Sequence, residues 1–533
     1  MKRLLEKLKY LFSSKPLFLL LLPVFFIYSG YNELFGFLSF RYVITNLAVI
    51  LACVFGFLFI SVKLFRDIKK AAIFTFTISL CCLVFGYLHD GLKQLLPQSF
   101  FAKFIVVIPA TFALFLIILI ILKKRKKGFT DAYVFLNLLF TILLFSEIPN
   151  SIKRYQIDKS VNNLIDFRFN AYNGYNPAEP IPDSVKPDIY FLVFDAMASS
   201  KSIDQLIGKK NYQLDSFLTQ KNFYVAAHAR ANYNWTIHSL SSTFNMDYLP
   251  PWIAPVMNDP KAYFWGSESI LNNSLFSILK KEGYTTHSYQ PISFNNKDWP
   301  GDSYFQNMKK YHFSFKTLPG RIYRDVFWNY NRINVDFIKK KQFEIIDERN
   351  EQKKQHFDTT MALLKATCGV QQLKFVYGHF MIPHEQYTFD SAGSVKTPAN
   401  TVVHNRTEDA DGYFGQVLFA RKVIKELVDY IQLNNKKNTI IIVAGDHGFK
   451  STEAMKSGYI FNNMMALYFP DKDYSMLYDS VSLVNIFRIV LNKHFAAGLP
   501  LHRDSSIIVT GLNQAIKKSE KIPPTHTPAY PNQ

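Results

Sequence analysis

Cysteine is nearly absent: the chain has 533 residues and only 4 of them are cysteine. Cys53, Cys81 and Cys82 fall inside long apolar runs, and only Cys368 lies in the more polar remainder. A disulfide scaffold is thereby excluded, and Cys368 reads as a small buried hydrophobe. Acidic charge is also scarce: 41 Asp and Glu stand against 61 Lys and Arg, a formal charge of +20. Collagen-like glycine periodicity and internal repeats are missing, and the hydrophobic share of 49% is ordinary, so fibrous and disordered classes drop out. Phenylalanine is plentiful, with 50 residues in a chain that is 16% aromatic. The length leaves room for more than one domain.

The basic surplus is uneven. Residues 1–155 hold 19 Lys and Arg against 6 Asp and Glu, net +13, and the other 378 residues carry the remaining +7. Charge that accompanies the most apolar part of a chain speaks for membrane topology and against a nucleic-acid partner. Five apolar runs occupy 16–38, 42–65, 71–89, 100–122 and 131–149. Each is near the ~20 residues that cross a ~30 Å hydrocarbon layer. Phe104 to Leu122 contains no charge, whereas Glu33 interrupts the end of the first run.

Basic residues cluster before the first run (Lys2, Arg3, Lys7, Lys9, Lys15), between the second and third (Lys63, Arg66, Lys69, Lys70) and between the fourth and fifth (Lys123, Lys124, Arg125, Lys126, Lys127). Arg41, Lys93 and Lys103 lie in the loops on the other side. The positive-inside rule then places the N-terminus in the cytoplasm, and an odd number of spans puts everything after about residue 150 outside it. A cleavable signal peptide over 1–29 is the competing reading, but no small-residue cleavage site is present and four more runs follow. The expected organisation is a five-helix transmembrane domain over 1–150, a linker over 151–185, an exported domain over 186–515 and a mobile tail over 516–533.

In the exported part, short apolar runs alternate with helical patterns. Strands are expected at Asp188–Phe194, Phe223–Ala226, Lys374–Tyr377, Thr439–Ala444 and Ala466–Phe469. Helices are expected near 268–282, 356–367, 411–433 and 481–496. Alternation of this kind predicts an α/β domain with a mostly parallel sheet buried on both faces. Ligands bind such sheets beyond the carboxyl ends of the strands, so polar residues just after a strand are the ones to inspect.

Three such places carry chemistry. Asp195 ends the run Phe191-Leu192-Val193-Phe194, where a carboxylate is costly unless it is paired or binds a metal. Taken alone, an Asp after a strand is more often a helix cap or turn residue. Asp446 and His447 follow Ile440-Ile441-Ile442-Val443-Ala444-Gly445 and precede Gly448, offering one oxygen and one nitrogen ligand to a cation. Thr236 stands where a helix begins; capping is its bland role, and handling an anion is the other.

Taken in order, these segments resemble the sulfatase-like branch of the alkaline phosphatase superfamily. In architecture the chain is similar to membrane-anchored phosphoethanolamine transferases and lipoteichoic acid synthases, which place an extracytoplasmic α/β domain behind five spans. The resemblance covers about 186–500. It implies Asp195, Thr236, Asp446 and His447 as ligands of one divalent metal ion, Zn²⁺ first and Mn²⁺ as the rival, with Thr236 also the nucleophile. It also implies that the segment Tyr377-Gly378-His379-Phe380-Met381-Ile382-Pro383-His384 handles substrate, with His384 as acid–base group and His379 assisting.

The chain departs from the family pattern in several places. Asp195 is followed by Ala196 instead of a second acid, and Cys/Ser-x-Pro-x-Arg, the formylglycine motif of many sulfatases, is missing. Phosphoryl chemistry is therefore favoured over sulfate-ester hydrolysis. Phe449-Lys450-Ser451-Thr452 brings no further histidine after Asp-His-Gly, which favours a single metal. The expected activity is transfer of a phosphoryl-linked head group from a membrane lipid donor to a glycan or lipid acceptor through a phospho-threonine, in the inner membrane of a bacterium. A sulfatase-like hydrolase with the same metal site is the alternative, and a non-enzymatic membrane scaffold is the third class.

Overall fold

The computed structural model describes residues 2–96, 99–125, 128–168, 175, 181–249, 266–267, 269–289, 311–327, 336–402, 406–435 and 437–509. The tail expected over 516–533 lies outside the described residues. The chain divides into two compact units, Met1–Leu164 with Gln306–Gln342, and Ile165–Phe305 with Phe343–Gln533.

The first unit is built from α1 (Lys2–Ser14), α2 (Phe18–Glu33), α3 (Phe40–Phe65), α4 (Ile68–Leu95), α5 (Phe104–Lys124) and α6 (Thr130–Arg168). Among the described residues four helices are long and apolar enough to cross a membrane: α3, α4, α5, and α6 over Thr130–Gln156. The first of the five expected spans is shorter. It forms only the 16 residues of α2, about 24 Å of helix against a ~30 Å layer. The chain leaves α2 at Glu33, turns at Gly36 with φ +86°, and starts α3 where the Ser39 side chain accepts from Tyr42 N–H. At its far end α6 continues to Arg168, into the stretch expected as linker. Phe55 and Phe59 on α3 and Ile117 and Ile120 on α5 are exposed, as lipid-facing side chains are. Asn137 of α6 is buried and ties down the turn between α1 and α2. Its Oδ1 accepts from Phe18 N–H at 2.7 Å, and its amide donates to the carbonyls of Phe12 (2.9 Å) and Lys15 (2.8 Å).

Residues 311–327, distant in sequence, pack into this same unit. Phe313 is buried and stacks on Tyr42 of α3 with centroids 5.5 Å apart. His312 Nε2 donates to Gly30 O at 2.9 Å, Lys316 pairs with Glu33, and Arg321 pairs with Asp90 and with Asp325. The approach depends on Gly86, where a Cβ would sit 2.8 Å from the Lys316 carbonyl oxygen. Charges that close an apolar run in sequence are thus matched by cations from a remote segment, a pairing no local pattern reveals.

The second unit is a three-layer α/β fold. Its elements in chain order are β1 (Asp188–Phe194), α7 (Ser200–Ile207), α8 (Tyr212–Gln220), β2 (Tyr224–Val225), α9 (Thr236–Asn245), α10 (Ser274–Lys281), β3 (Thr285–Tyr289), α11 (Asp336–Thr367), β4 (Lys374–Phe380), α12 (Arg406–Asn434), β5 (Thr439–Ala444), β6 (Met465–Tyr468) and α13 (Leu483–Phe495). The sheet order is β2-β6-β5-β1-β4-β3. The four strands β5, β1, β4 and β3 run parallel, and β6 turns antiparallel to both β5 and β2. Side-chain alternation splits the core in two. Ile189, Phe191 and Val193 join Leu240 and Phe244 of α9 and Phe487 of α13 on one face. Tyr190, Leu192 and Phe194 join Leu218 of α8, Leu364 of α11 and Val417 of α12 on the other. Strands buried on both faces explain the uninterrupted apolar runs. Cys368 is buried, and its sulfur accepts from Tyr190 O–H at 3.5 Å.

Candidate active site

The register sets the site. Val193 of β1 stands opposite His379 of β4 on one side and Ala444 of β5 on the other. The carboxyl ends of three neighbouring strands therefore deliver Asp195, His379 and the Asp446-His447 pair to one spot. Gly445 lets two loops cross there: a Cβ on it would lie 2.2 Å from the Met197 carbonyl oxygen. Ala196 sits at φ +63°, in the left-handed region that non-glycine residues rarely adopt. In that conformation its N–H donates to Asp446 Oδ1 at 3.0 Å, and its carbonyl accepts from Tyr413 O–H at 2.9 Å. Local strain of this kind at a strand end is held by the surrounding contacts.

Asp195, Asp446 and His447 are buried, and one ligand atom from each lies within 4.8 Å of the others. His447 Nε2 is 3.7 Å from Asp195 Oδ1 and 3.6 Å from Asp446 Oδ2. Neither of those two carboxylate oxygens has a hydrogen-bond partner among the described residues. Buried carboxylate oxygens without donors are costly unless a cation meets them. The His447 tautomer agrees. Its Nδ1 lies 2.9 Å from the Gly448 carbonyl, which can only accept, so Nδ1 carries the proton and Nε2 presents a lone pair. The donor set of two carboxylates and one imidazole suits a single divalent cation.

Thr236 is the first residue of α9, and Trp235 occupies the cap position without a capping side chain. The threonine hydroxyl is thus free of the capping role that the sequence also allowed. Its Oγ1 lies 3.4 Å from Asp195 Oδ2 and 3.5 Å from His447 Nε2. The loop before it is pinned from far away: Asn234 brackets both backbone groups of Val509, and Trp235 Nε1 donates to Val509 O at 3.1 Å. Inside the helix, Ser239 Oγ donates to Asp446 O at 2.6 Å and joins the helix that Thr236 opens to the loop that carries Asp446 and His447.

The two expected substrate histidines take different positions. His379 is fully buried in β4, and its Nε2 is 3.3 Å from Asp195 Oδ2. The carboxylate only accepts, so Nε2 carries the hydrogen and Nδ1 accepts from Tyr377 O–H at 2.6 Å. Burial raises the Tyr377 pKa far above its ordinary value, so that donor stays protonated. His384 is partly exposed on the loop after β4; its Nδ1 donates to Glu385 O, and its Nε2 points toward Asp195 Oδ1 at 4.0 Å. Burial by itself raises the Asp195 carboxyl, but His384, His379 and His447 outweigh it and hold the pKa below the usual carboxylate range. Burial lowers the His447 pKa, with Lys450 adding to the drop against the pull of Asp446 and Asp195.

Tyr377 as a partner of His379, Ser239, Trp235 and the Asn234–Val509 clasp were not expected from sequence. His238 is buried beside Tyr233 with no partner for either ring nitrogen among the described residues, and burial pulls its pKa to about 4. It is not among the candidate ligands.

Lys353 of α11 also lies outside the expectations. Its Nζ donates to Gln386 O at 3.1 Å. Burial and then Arg349 pull its pKa from 10.5 to about 8, against Glu385 and Asp195. Between those values the unfolded chain holds a proton that the folded chain has released, so this group makes stability rise with pH across that window. Lys353→Met is expected to flatten the rise in Tm between about pH 8 and 10 and to raise Tm at pH 7. Identical Tm profiles for variant and parent would refute it.

The sequence profile of the family described as Sulfatase matches residues 209–489. No curated protein sequence matches this chain. Among solved structures, the C-terminal periplasmic domain of EcEptC from Escherichia coli, in complex with Zn, is 13% identical over 62% of this chain and 84% of its own, with a TM-score of 0.35. The C-terminal periplasmic domain of phosphoethanolamine transferase EptC from Campylobacter jejuni is 11% identical over 58% of this chain and 90% of its own, with a TM-score of 0.34. The integral membrane protein lipooligosaccharide phosphoethanolamine transferase A from Neisseria meningitidis is 12% identical over 90% of this chain and 94% of its own, with a TM-score of 0.33.

Proposed function

We propose that this chain, which belongs to the sulfatase family, is a membrane enzyme that moves a phosphoryl-linked head group, of the phosphoethanolamine or phosphoglycerol type, from a phospholipid to a glycan or lipid of the cell envelope. One observation carries the reading: a threonine hydroxyl, free of capping, lies 3.4 Å from one carboxylate of a buried, partly unsatisfied two-aspartate and imidazole set. A divalent cation bound by Asp195, Asp446 and His447, Zn²⁺ first and Mn²⁺ second, would supply Lewis acidity, lowering the hydroxyl's pKa and offsetting charge on the phosphoryl oxygens.

The chain's own groups do the rest. Thr236 Oγ1 attacks phosphorus, and its proton passes toward Asp195 Oδ2 at 3.4 Å. The bond from phosphorus to the diacylglycerol oxygen breaks, and that oxygen takes a proton from protonated His384, the one site imidazole with solvent access. In the second half the acceptor hydroxyl gives its proton to His384 and attacks phosphorus, and the threonine oxygen leaves, taking back the proton held at Asp195 Oδ2. His379, closed off from solvent, orients Asp195. The basic residues Lys63, Arg66, Lys69 and Lys70, and Lys123, Lys124 and Arg125, lie at the same side of the α3–α6 helices, whether or not α2 spans. By the positive-inside rule α6 then exits on the extracytoplasmic side, where the lipid donor lies in the bilayer plane.

The test is mass spectrometry of the Thr236 peptide after the full chain is incubated in vesicles of phosphatidylethanolamine and phosphatidylglycerol. A head-group phosphoryl adduct on Thr236 is expected, lost in Thr236→Ala. No adduct in the parent, with full activity in Thr236→Ala, overturns the reading. Release of free phosphoethanolamine or glycerol phosphate without transfer product would instead mark a hydrolase.

A further inference from the structure

The rim of the site holds an ammonium that the chemistry above does not use. Lys450, three residues past His447, places its Nζ 4.2 Å from the centroid of the Trp235 indole. Trp235 precedes the nucleophile, and its Nε1–H bond to Val509 O fixes the ring. No carboxylate pairs with Lys450 among the described residues, and its ammonium rests against the indole face. Both side chains are half-buried, as is Thr236, whereas Asp195, Asp446 and His447 are fully enclosed. An approaching phosphoryl group therefore meets Thr236, His384, Trp235 and Lys450 before the buried ligands.

Charge arithmetic gives that ammonium a task. One divalent cation against two aspartates leaves the enclosed centre neutral. A phosphodiester brings one negative charge that this neutral centre leaves unmatched. We propose that Lys450, seated on the Trp235 face, receives a non-bridging oxygen of the phosphoryl group and thereby selects anionic phosphodiesters as donors. The inference rests on the phosphoryl-transfer reading and adds the group that grips the substrate outside the metal ligands. The indole contact restricts a long, flexible side chain to one approach, so less freedom is lost when the anion arrives. A single charge placed this way acts on bound substrate and transition state alike, and it shows in KM more than in kcat.

The experiment uses the full chain in phospholipid vesicles with the metal loaded. Lys450→Met keeps a side chain that covers the indole but removes the charge, and Lys450→Arg keeps the charge. We expect Lys450→Met to raise KM for the lipid donor about tenfold with kcat within about threefold, and Lys450→Arg to stay within about threefold on both. Inorganic phosphate, as a competitive probe of the metal-loaded protein, is expected to bind Lys450→Met about tenfold more weakly. Equal phosphate affinity in parent and Lys450→Met, or a Lys450→Met defect confined to kcat, would overturn the role of Lys450 and leave the Thr236 adduct standing. Absence of that adduct in the parent would sink the transfer reading instead, whatever the phosphate titration gives.

Discussion

Asp446→Asn is expected to empty the cation site and to lower activity by about 10³-fold or more, while the α/β unit stays folded. The two oxygens of Asp446 have separate tasks: Oδ1 accepts from Ala196 N–H at 3.0 Å, and Oδ2 has no donor among the described residues. An asparagine of the same shape can satisfy only one of them. With its carbonyl toward Ala196, the amide group points two N–H donors at the place of the proposed cation. Flipped, it repels the Ala196 N–H and releases the strained turn that holds Asp195. Loss of one ligand of three is expected to weaken divalent-metal affinity by well over about 100-fold, the upper range for changes one step further out. Elemental analysis after dialysis, kcat/KM and circular dichroism read the three quantities. Full metal content with activity within about tenfold of the parent would refute the assignment of Asp446 as a ligand.

The parts of this site that were legible in sequence share one property: each lies at the end of a run whose burial is written in its composition. Asp195 and the Asp446-His447 pair stand out because a charge directly after a fully buried strand needs a reason. The expected strands at 188–194 and 439–444 coincide with those observed. β4 runs three residues beyond its expected end, because Gly378 and His379 break the apolar pattern while staying in the sheet. β3 was missed altogether: Thr285-Thr286-His287-Ser288-Tyr289 lies at the sheet edge, half-covered, and has no apolar run. The first half of α11 was missed because residues 336–355 are mostly charged and exposed, so only the buried end carried a helical stripe. Tyr377 beneath His379, Val509 behind Asn234 and Lys450 over Trp235 could not be read locally. Each joins segments whose meeting depends on the completed sheet, and a lone tyrosine, valine or lysine carries no mark of its partner.

That completed sheet is anchored at the end opposite the site, and breaking the anchor is expected to have the largest effect on stability. Asp188 and Lys374 open β1 and β4, are both fully buried, and form an ion pair at 2.5 Å. Lys374 N–H also donates to Asp188 Oδ1 at 3.3 Å, and Lys374 Nζ donates to Val370 O at 3.0 Å. Asn435, just before β5, donates to Asp188 Oδ2 at 3.0 Å and to Thr439 Oγ1 at 2.6 Å. One carboxylate thus ties together the starts of three parallel strands whose other ends hold Asp195, His379 and Asp446. A slip of one residue there would turn each of those side chains to the wrong face. Lys374→Met leaves Asp188 charged, enclosed and without its cation, at a cost of about 3–5 kcal/mol. For a domain of this size that is a fall in Tm on the order of 5 °C. Adding Asp188→Asn removes the stranded charge, and the double variant is expected to recover most of the loss, since a buried pair contributes little beyond its neutral replacement. Thermal melts of the two single variants and the double in detergent decide it. A Lys374→Met protein that melts with the parent, or a double variant no better than the single, would show that the strand starts are held by their apolar neighbours and not by this pair.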